Sequence, residues 1–131
     1  MILVLDTSIL IDIQRDNKNT KEKLKKLSRE HPYPAKITVF SKFEFLNGIM
    51  NNPIKNASKA KEFISSFSVI QTSDKSPEIL AELKHKYDED GLQIPMIDMF
   101  IAGLVIENNY VLVTKDKDFE KITELKKIIL T

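Results

Sequence analysis

The chain has 131 residues, 42% hydrophobic and 30% charged, which suits a globular protein able to bury a core and read as one domain over residues 1–131. Its formal net charge of +1 creates no global basic field, so any nucleic-acid binding must rest on local clusters. With no cysteine, disulfides and thiolate zinc sites are excluded and a reducing compartment is permitted. Met1 runs straight into a strand-like segment with no secretory leader pattern, and the apolar stretches are too short to span a membrane. The expected location is the cytoplasm, with no membrane partner.

Ile2 to Leu5 is an apolar run that ends at Asp6, which suits a strand buried on both faces. Thr7 to Ile13 reads as a short helix, with Asp6 or Thr7 as N-cap. Asn17 to Glu30 reads as a second helix, with Leu24 and Leu27 inward and lysines elsewhere, broken by His31-Pro32-Tyr33-Pro34. Ala35 to Phe40 suits a strand and Ser41 to Asn51 a helix stopped by Asn52-Pro53. Ala57 to Phe67 is a helix leading to a strand at Ser68 to Gln71. Ser76-Pro77 opens a helix to about Asp90, ended by Gly91. Pro95 opens another to Asn108, where Asn108-Asn109 offers a left-handed stop. Tyr110 to Thr114 is a strand, Phe119 to Glu124 at most a short helix, and Ile128 to Leu130 a last edge strand. Strands alternating with helices predict an α/β fold, a three-layer α/β/α sandwich around a mostly parallel sheet.

Two apolar strands from opposite ends of the sequence are each followed by an acid, Asp6 and Asp116. In parallel sheets ligands bind in the crevice outside the carboxyl ends of the strands. Carboxylates gathered there repel one another unless a cation holds them, so a divalent metal is the first expectation. Glu44, near the start of the helix after the second strand, and Asp98, in the first turn of a largely apolar helix, are placed to join the same rim. Each acid also has a plain structural reading. Asp6 can be an N-cap. Ser41-x-x-Glu44 fits a capping box. Asp98 can complement the helix dipole, and Asp116 and Asp118 can be turn residues. Four such coincidences at one edge are less economical than one site, and capping and metal binding can coexist.

Leu5-Asp6-Thr7-Ser8-Ile9-Leu10-Ile11-Asp12 resembles the opening motif of PIN-domain nucleases. Phe43-Glu44-Phe45-Leu46-Asn47-Gly48-Ile49, Pro95-Met96-Ile97-Asp98-Met99-Phe100-Ile101-Ala102 and Leu112-Val113-Thr114-Lys115-Asp116-Lys117-Asp118-Phe119 resemble the next three. The motifs span essentially the whole chain in order, and the arrangement looks most like the VapC-type toxins of toxin–antitoxin pairs. The resemblance implies that Asp6, Glu44, Asp98 and Asp116 bind Mg²⁺ or Mn²⁺, with Asp6 and Asp98 central. It implies support from the hydroxyls of Thr7 or Ser8 and of Thr114, and Asp118 as a possible fifth acid. Met99 and Phe100 are bulkier than the small residues common at those positions.

An all-oxygen donor set suits such hard cations better than zinc, and the implied chemistry is endonucleolytic hydrolysis of RNA phosphodiesters. The resemblance further implies a cognate antitoxin and a homodimer; the sequence itself offers only the apolar Phe43, Leu46, Ile49 and Met50 for such contacts. Lys115 and Lys117 beside the site are candidate substrate-binding residues. The lysines and Arg29 between residues 18 and 29, interspersed with acids, read more simply as a solvated face, and the phenylalanines as core or interface. His31 and His85 read as loop and surface residues. A catalytically silent PIN-like binding module is the alternative, disfavoured because all four acids are present. A phosphatase with an Asp nucleophile is disfavoured by Ser8 where a second Asp is wanted.

Overall fold

Alternate residues of the two central strands point to opposite faces of the sheet, as the period of two requires. Leu3, Leu5, Val111 and Val113 join Ile9, Leu10, Phe45 and Ile64 in one buried cluster. Val4 and Leu112 join Leu83, Tyr87, Met99, Leu104 and Val105 in the other. The sheet is thus covered on both sides, which explains why its strands carry unbroken apolar runs. These relations come from a computed structural model describing residues 1–52 and 55–131.

The element order is β1 (Leu3–Leu5), α1 (Thr7–Gln14), α2 (Lys18–Glu30), β2 (Lys36–Thr38), α3 (Val39–Asn51), α4 (Ala57–Ser65), β3 (Ser68–Ile70), α5 (Ser76–Glu89), α6 (Met96–Glu107), β4 (Val111–Thr114), a 3₁₀ turn (Lys117–Lys121) and β5 (Lys127–Ile129). Among the described residues the strands form one sheet in the order β3-β2-β1-β4-β5, and every pairing is parallel. Leu5 lies opposite Val113, so β1 and β4 finish side by side. Strand order reverses between them, making their carboxyl ends the switch point where doubly wound sheets bind ligands. The predicted three-layer architecture is the one observed.

Local differences have local causes. The strand predicted to reach Phe40 ends at Thr38, whose hydroxyl accepts from Ser41 N at 3.0 Å and starts α3 at Val39. Ser41 is therefore a buried third residue of that helix, and the Ser41–Glu44 capping box does not form. The segment predicted as a short helix at Phe119–Glu124 is a 3₁₀ turn beginning earlier, at Lys117, because Asp116 Oδ1 accepts from Asp118 N at 2.9 Å and caps it. Helix α6 buries every residue from Ile101 to Val105, and Met99 as well, so it is a nearly all-round core helix rather than one with a single apolar face. Gly91 (φ 72°) and Asn109 (φ 56°) supply the left-handed stops after α5 and α6. Asn52 caps the end of α3, while Pro53 of the predicted stop lies outside the described residues.

Candidate metal centre

Asp6 follows the last residue of β1 and is only 4% exposed. It is the N-cap of α1, with Oδ1 accepting from Ile9 N at 3.3 Å and from Ser8 Oγ at 2.6 Å. Its Oδ2 accepts from Thr114 Oγ1 at 2.5 Å, and Thr114 is the last residue of the neighbouring strand. Thr114 Oγ1 in turn accepts from Asp116 N at 2.9 Å. One buried hydroxyl thus ties the first acid to the backbone of the fourth, fixing both at the switch point. Burial pushes the Asp6 carboxyl above the ordinary range; the donors from Ser8, Thr114 and Ile9 oppose that, and the charge on Asp116 adds to it.

Glu44 comes from the second turn of α3 and accepts from Thr7 Oγ1 at 2.6 Å, so the hydroxyls of Thr7 and Ser8 serve different acids. Asp98 stands in the first turn of α6. Burial, followed by the charges of Asp116, Glu44, Asp6 and Asp118, pushes its carboxyl up to about 7. Asp6, Glu44 and Asp116 therefore lie close enough to act on Asp98, as does Asp118. Carboxylate oxygens of Asp98, Asp116 and Asp118 all lie within 4.8 Å of one another. Asp6 and Glu44 stand outside that tightest group, each anchored to hydroxyls.

The donor set fits a hard divalent ion. It is all carboxylate, it is half-buried, and the neighbouring charges raise the cost of ionising Asp98, which a cation removes. Chemically, such a site can concentrate positive charge next to a phosphate.

Of the two lysines singled out beside the site, Lys117 is exposed on the 3₁₀ turn. Lys115 donates its Nζ to Asp12 Oδ2 at 2.7 Å, which also accepts from Thr20 Oγ1 at 2.6 Å. Asp12 is the neighbour that the sequence reading passed over. Its signal was its spacing, since Ser8 and Asp12 stand i, i+4 on α1 and both hold Lys115, Ser8 Oγ by the backbone N–H at 3.2 Å. His31 Nδ1 sits 2.9 Å from Met1 O, and His85 is exposed beside Glu89, both away from the acids. Phe45 and Phe63 pack with Phe67 in the core, whereas Phe43 and Met50 stand exposed on α3.

The fold and this rim define a class: a doubly wound α/β protein whose strand ends collect carboxylates at the switch point. The chain belongs to the PIN domain family, which it matches over residues 3–125, so the ordered motifs carried the right resemblance. It is 28% identical over 127 residues to the protein named Ribonuclease VapC2 of Rickettsia felis, covering 95% of each chain. Among solved structures it resembles a chain of VapBC2 from Rickettsia felis bound to a promoter DNA fragment, with TM-score 0.84, 24% identity and 100% of both chains covered. It also resembles a chain of DNA-bound VapBC from Salmonella typhimurium, with TM-score 0.82, 20% identity and 98% of both chains covered. These structural likenesses speak to the fold. Among the described residues no helix is long and apolar enough to cross a membrane.

Proposed function

We propose that the chain is a Mg²⁺- or Mn²⁺-dependent endoribonuclease, the VapC-like toxin of a toxin–antitoxin pair, acting in the cytoplasm. The observation that carries this reading is the gathering of Asp98, Asp116 and Asp118 within 4.8 Å, with Asp6 and Glu44 close enough to perturb Asp98. The similarity to a ribonuclease over nearly the whole chain supports RNA as substrate. The VapBC likenesses support an antitoxin partner and are compatible with a homodimer.

In this reading Asp6, Glu44, Asp98 and Asp116 hold the ion, with Asp118 beside them. Bound by these carboxylates, a divalent ion would supply positive charge against the charge developing on the phosphate and would lower the pKa of a water. The chain's own work is positional. Thr114 and Ser8 fix the Asp6 carboxylate, so it needs no reorganisation when substrate arrives. Thr7 fixes one oxygen of Glu44, which orients the attacking water or takes its proton. Lys117 attracts the RNA backbone as it enters, and Lys115 reaches it by exchanging Asp12 for phosphate. Single-stranded or looped RNA suits an open crevice better than duplex.

The test is cleavage of matched RNA and DNA oligonucleotides with Mg²⁺, Mn²⁺ or EDTA. RNA cut only with a divalent ion is the expected result; full cutting in EDTA ends the metal mechanism, and preferential cutting of DNA ends the ribonuclease assignment. Growth arrest on overproduction, relieved by the co-expressed antitoxin, is the expected cellular result, and harmless accumulation of active protein removes the toxin role.

A further inference from the structure

Beside the acids a groove of about 700 Å³ opens among the end of α5, the 91–95 loop and the start of α6, a size typical of ligand sites, on the order of 300–1,000 Å³. Asp118 of the acid cluster forms part of its wall, so the groove and the cluster are one continuous surface. Leu92 and Met96 line it while remaining 38% and 49% exposed. Gln93 contributes an amide and Lys121 an ammonium. Helix α6 begins at this groove with Pro95 as N-cap, and no side chain caps its first N–H groups. Its positive end thus favours an anion.

Lys121 Nζ lies 3.5 Å from Asp118 Oδ1, a loose and exposed pair, whereas Lys84 at the same groove is held by Asp88 at 2.5 Å. A divalent ion taken up by the acids satisfies Asp118 and leaves Lys121 available to a second anion. Apolar wall, hydrogen-bonding amide and available cation, side by side, match the face of a base, its edge and the attached phosphate. Continuity with the acids narrows the occupant to something covalently attached to the phosphate held there.

We propose that this groove is the subsite for one unstacked nucleotide of single-stranded RNA, adjacent to the bond that is cut. The base lies against Leu92 and Met96, the Gln93 amide reads its edge, and Lys121 holds its phosphate. A paired base is locked in its stack and does not enter, which selects loops and single strands. The assignment rests on the nuclease reading and adds to it a determinant of sequence preference.

The experiment pairs binding with cleavage. Binding of a 2′-O-methyl oligonucleotide, verified by gel to stay intact over the measurement, is followed by fluorescence anisotropy across a salt series, with and without Mg²⁺. Product ends from a randomised RNA pool are sequenced in parallel. Lys121→Gln should flatten the log–log salt dependence in Mg²⁺ by roughly 0.7, one single-strand phosphate contact. The double variant Leu92→Ala/Met96→Ala, which removes the apolar area the base covers, should weaken binding about fivefold or more. Gln93→Ala should relax base preference at one position flanking the cut.

Wild-type affinity, slope and end preference in all these variants, with Asp98→Asn inactive, overturns the groove assignment and leaves the nuclease reading standing. Wild-type protein that cuts no RNA overturns the nuclease reading instead. The anisotropy series then decides the groove alone, an unchanged Lys121→Gln slope and undiminished double-variant affinity counting against it.

Discussion

Asp98 and Glu124 are both partly exposed carboxylates, and the fold treats them in opposite ways. Around Asp98 the neighbours are acids, and burial together with their charge pushes it up to about 7. Around Glu124, desolvation works in the same upward direction but loses to the hydrogen bonds given by the buried Tyr87 hydroxyl and by Lys86 Nζ at 3.0 Å, which take the group down to about 2. Tyr87 Oη also accepts from Thr123 N at 3.0 Å, so this acid pins the 3₁₀ region to α5. One carboxylate has its charge answered within the chain and stabilises the fold. The other has its charge left unanswered, at a cost the fold tolerates at the switch point. Set beside the proposed function, that contrast separates a structural acid from a proposed metal ligand.

The sharpest way to break the comparison is Asp98→Asn. In the proposed mechanism it lowers Mg²⁺-dependent RNA cleavage by more than the roughly 10–100-fold that outer-shell changes cost, while the fold survives. The same substitution should raise stability at pH 8 by about 1 kcal/mol, an amount reduced by solvent screening of a half-exposed group. The sign follows from linkage. A carboxyl at about 7 in the folded chain, against an ordinary 3.8, contributes stability that is complete below about pH 3.8 and lost as pH rises through 7. Thermal melts at pH 5 and pH 8 should therefore differ less in Asp98→Asn than in the wild type, and Mg²⁺ should raise the melting temperature more at pH 8. A variant melting below the wild type at pH 8 contradicts the account of crowded charge.

Thr114→Val tests the frame around the acids rather than the acids themselves. It removes the donor to Asp6 Oδ2 and the acceptor for Asp116 N without changing the ligand count. Metal affinity measured by titration calorimetry should fall roughly 10–100-fold. Undiminished affinity means that the hydroxyl is only packing.

On the other side of the comparison, Tyr87→Phe removes one of the donors to Glu124, which keeps Lys86, and leaves the Thr123 N–H without its acceptor; it should cost about 1–3 kcal/mol in denaturant unfolding, with RNA cleavage unchanged. Its pH signature is opposite to that of Asp98. The Glu124 carboxylate, ordinarily at 4.5 and held at about 2, contributes stability that is present above 4.5 and disappears as pH falls through 2. The wild type should therefore lose stability across that window more steeply than Tyr87→Phe.

The half of this contrast that concerns the site was legible in the sequence, because strand-terminal acids on apolar runs are a local signal with a fixed spatial meaning in parallel sheets. Asp6, Glu44, Asp98 and Asp116 could be named from their places in elements. Hydroxyl support from Thr7 or Ser8 was anticipated only through the family resemblance. Pairings between remote residues were not legible. The family resemblance implied a supporting hydroxyl from Thr114, but which acid it serves, and that Lys115 is taken by Asp12, depends on the register of β1 against β4, which no local pattern encodes. The Tyr87–Glu124 link escaped for the same reason. The β2–α3 boundary was misplaced because Val39 and Phe40 favour strands intrinsically, while the Thr38 cap and the packing of both residues against the α6 side of the sheet favour helix.

The smallest effect is expected at Gly103, one turn and a half beyond Asp98 on the same helix. A Cβ placed there meets Leu80 Cδ2 of α5 at 2.4 Å, which looks prohibitive. The atom in the way, however, is the end of a flexible side chain that is only half-buried, so a change of Leu80 rotamer relieves the clash. Against that strain stands the gain from replacing glycine in a helix interior, about 1 kcal/mol. Gly103→Ala should therefore shift the urea midpoint little in either direction and leave metal affinity as it was. A loss above about 2 kcal/mol would mean that α5 and α6 are locked together more rigidly than the half-buried Leu80 suggests. A fall in metal affinity would mean that this packing, as well as the hydroxyl frame, sets the position of Asp98.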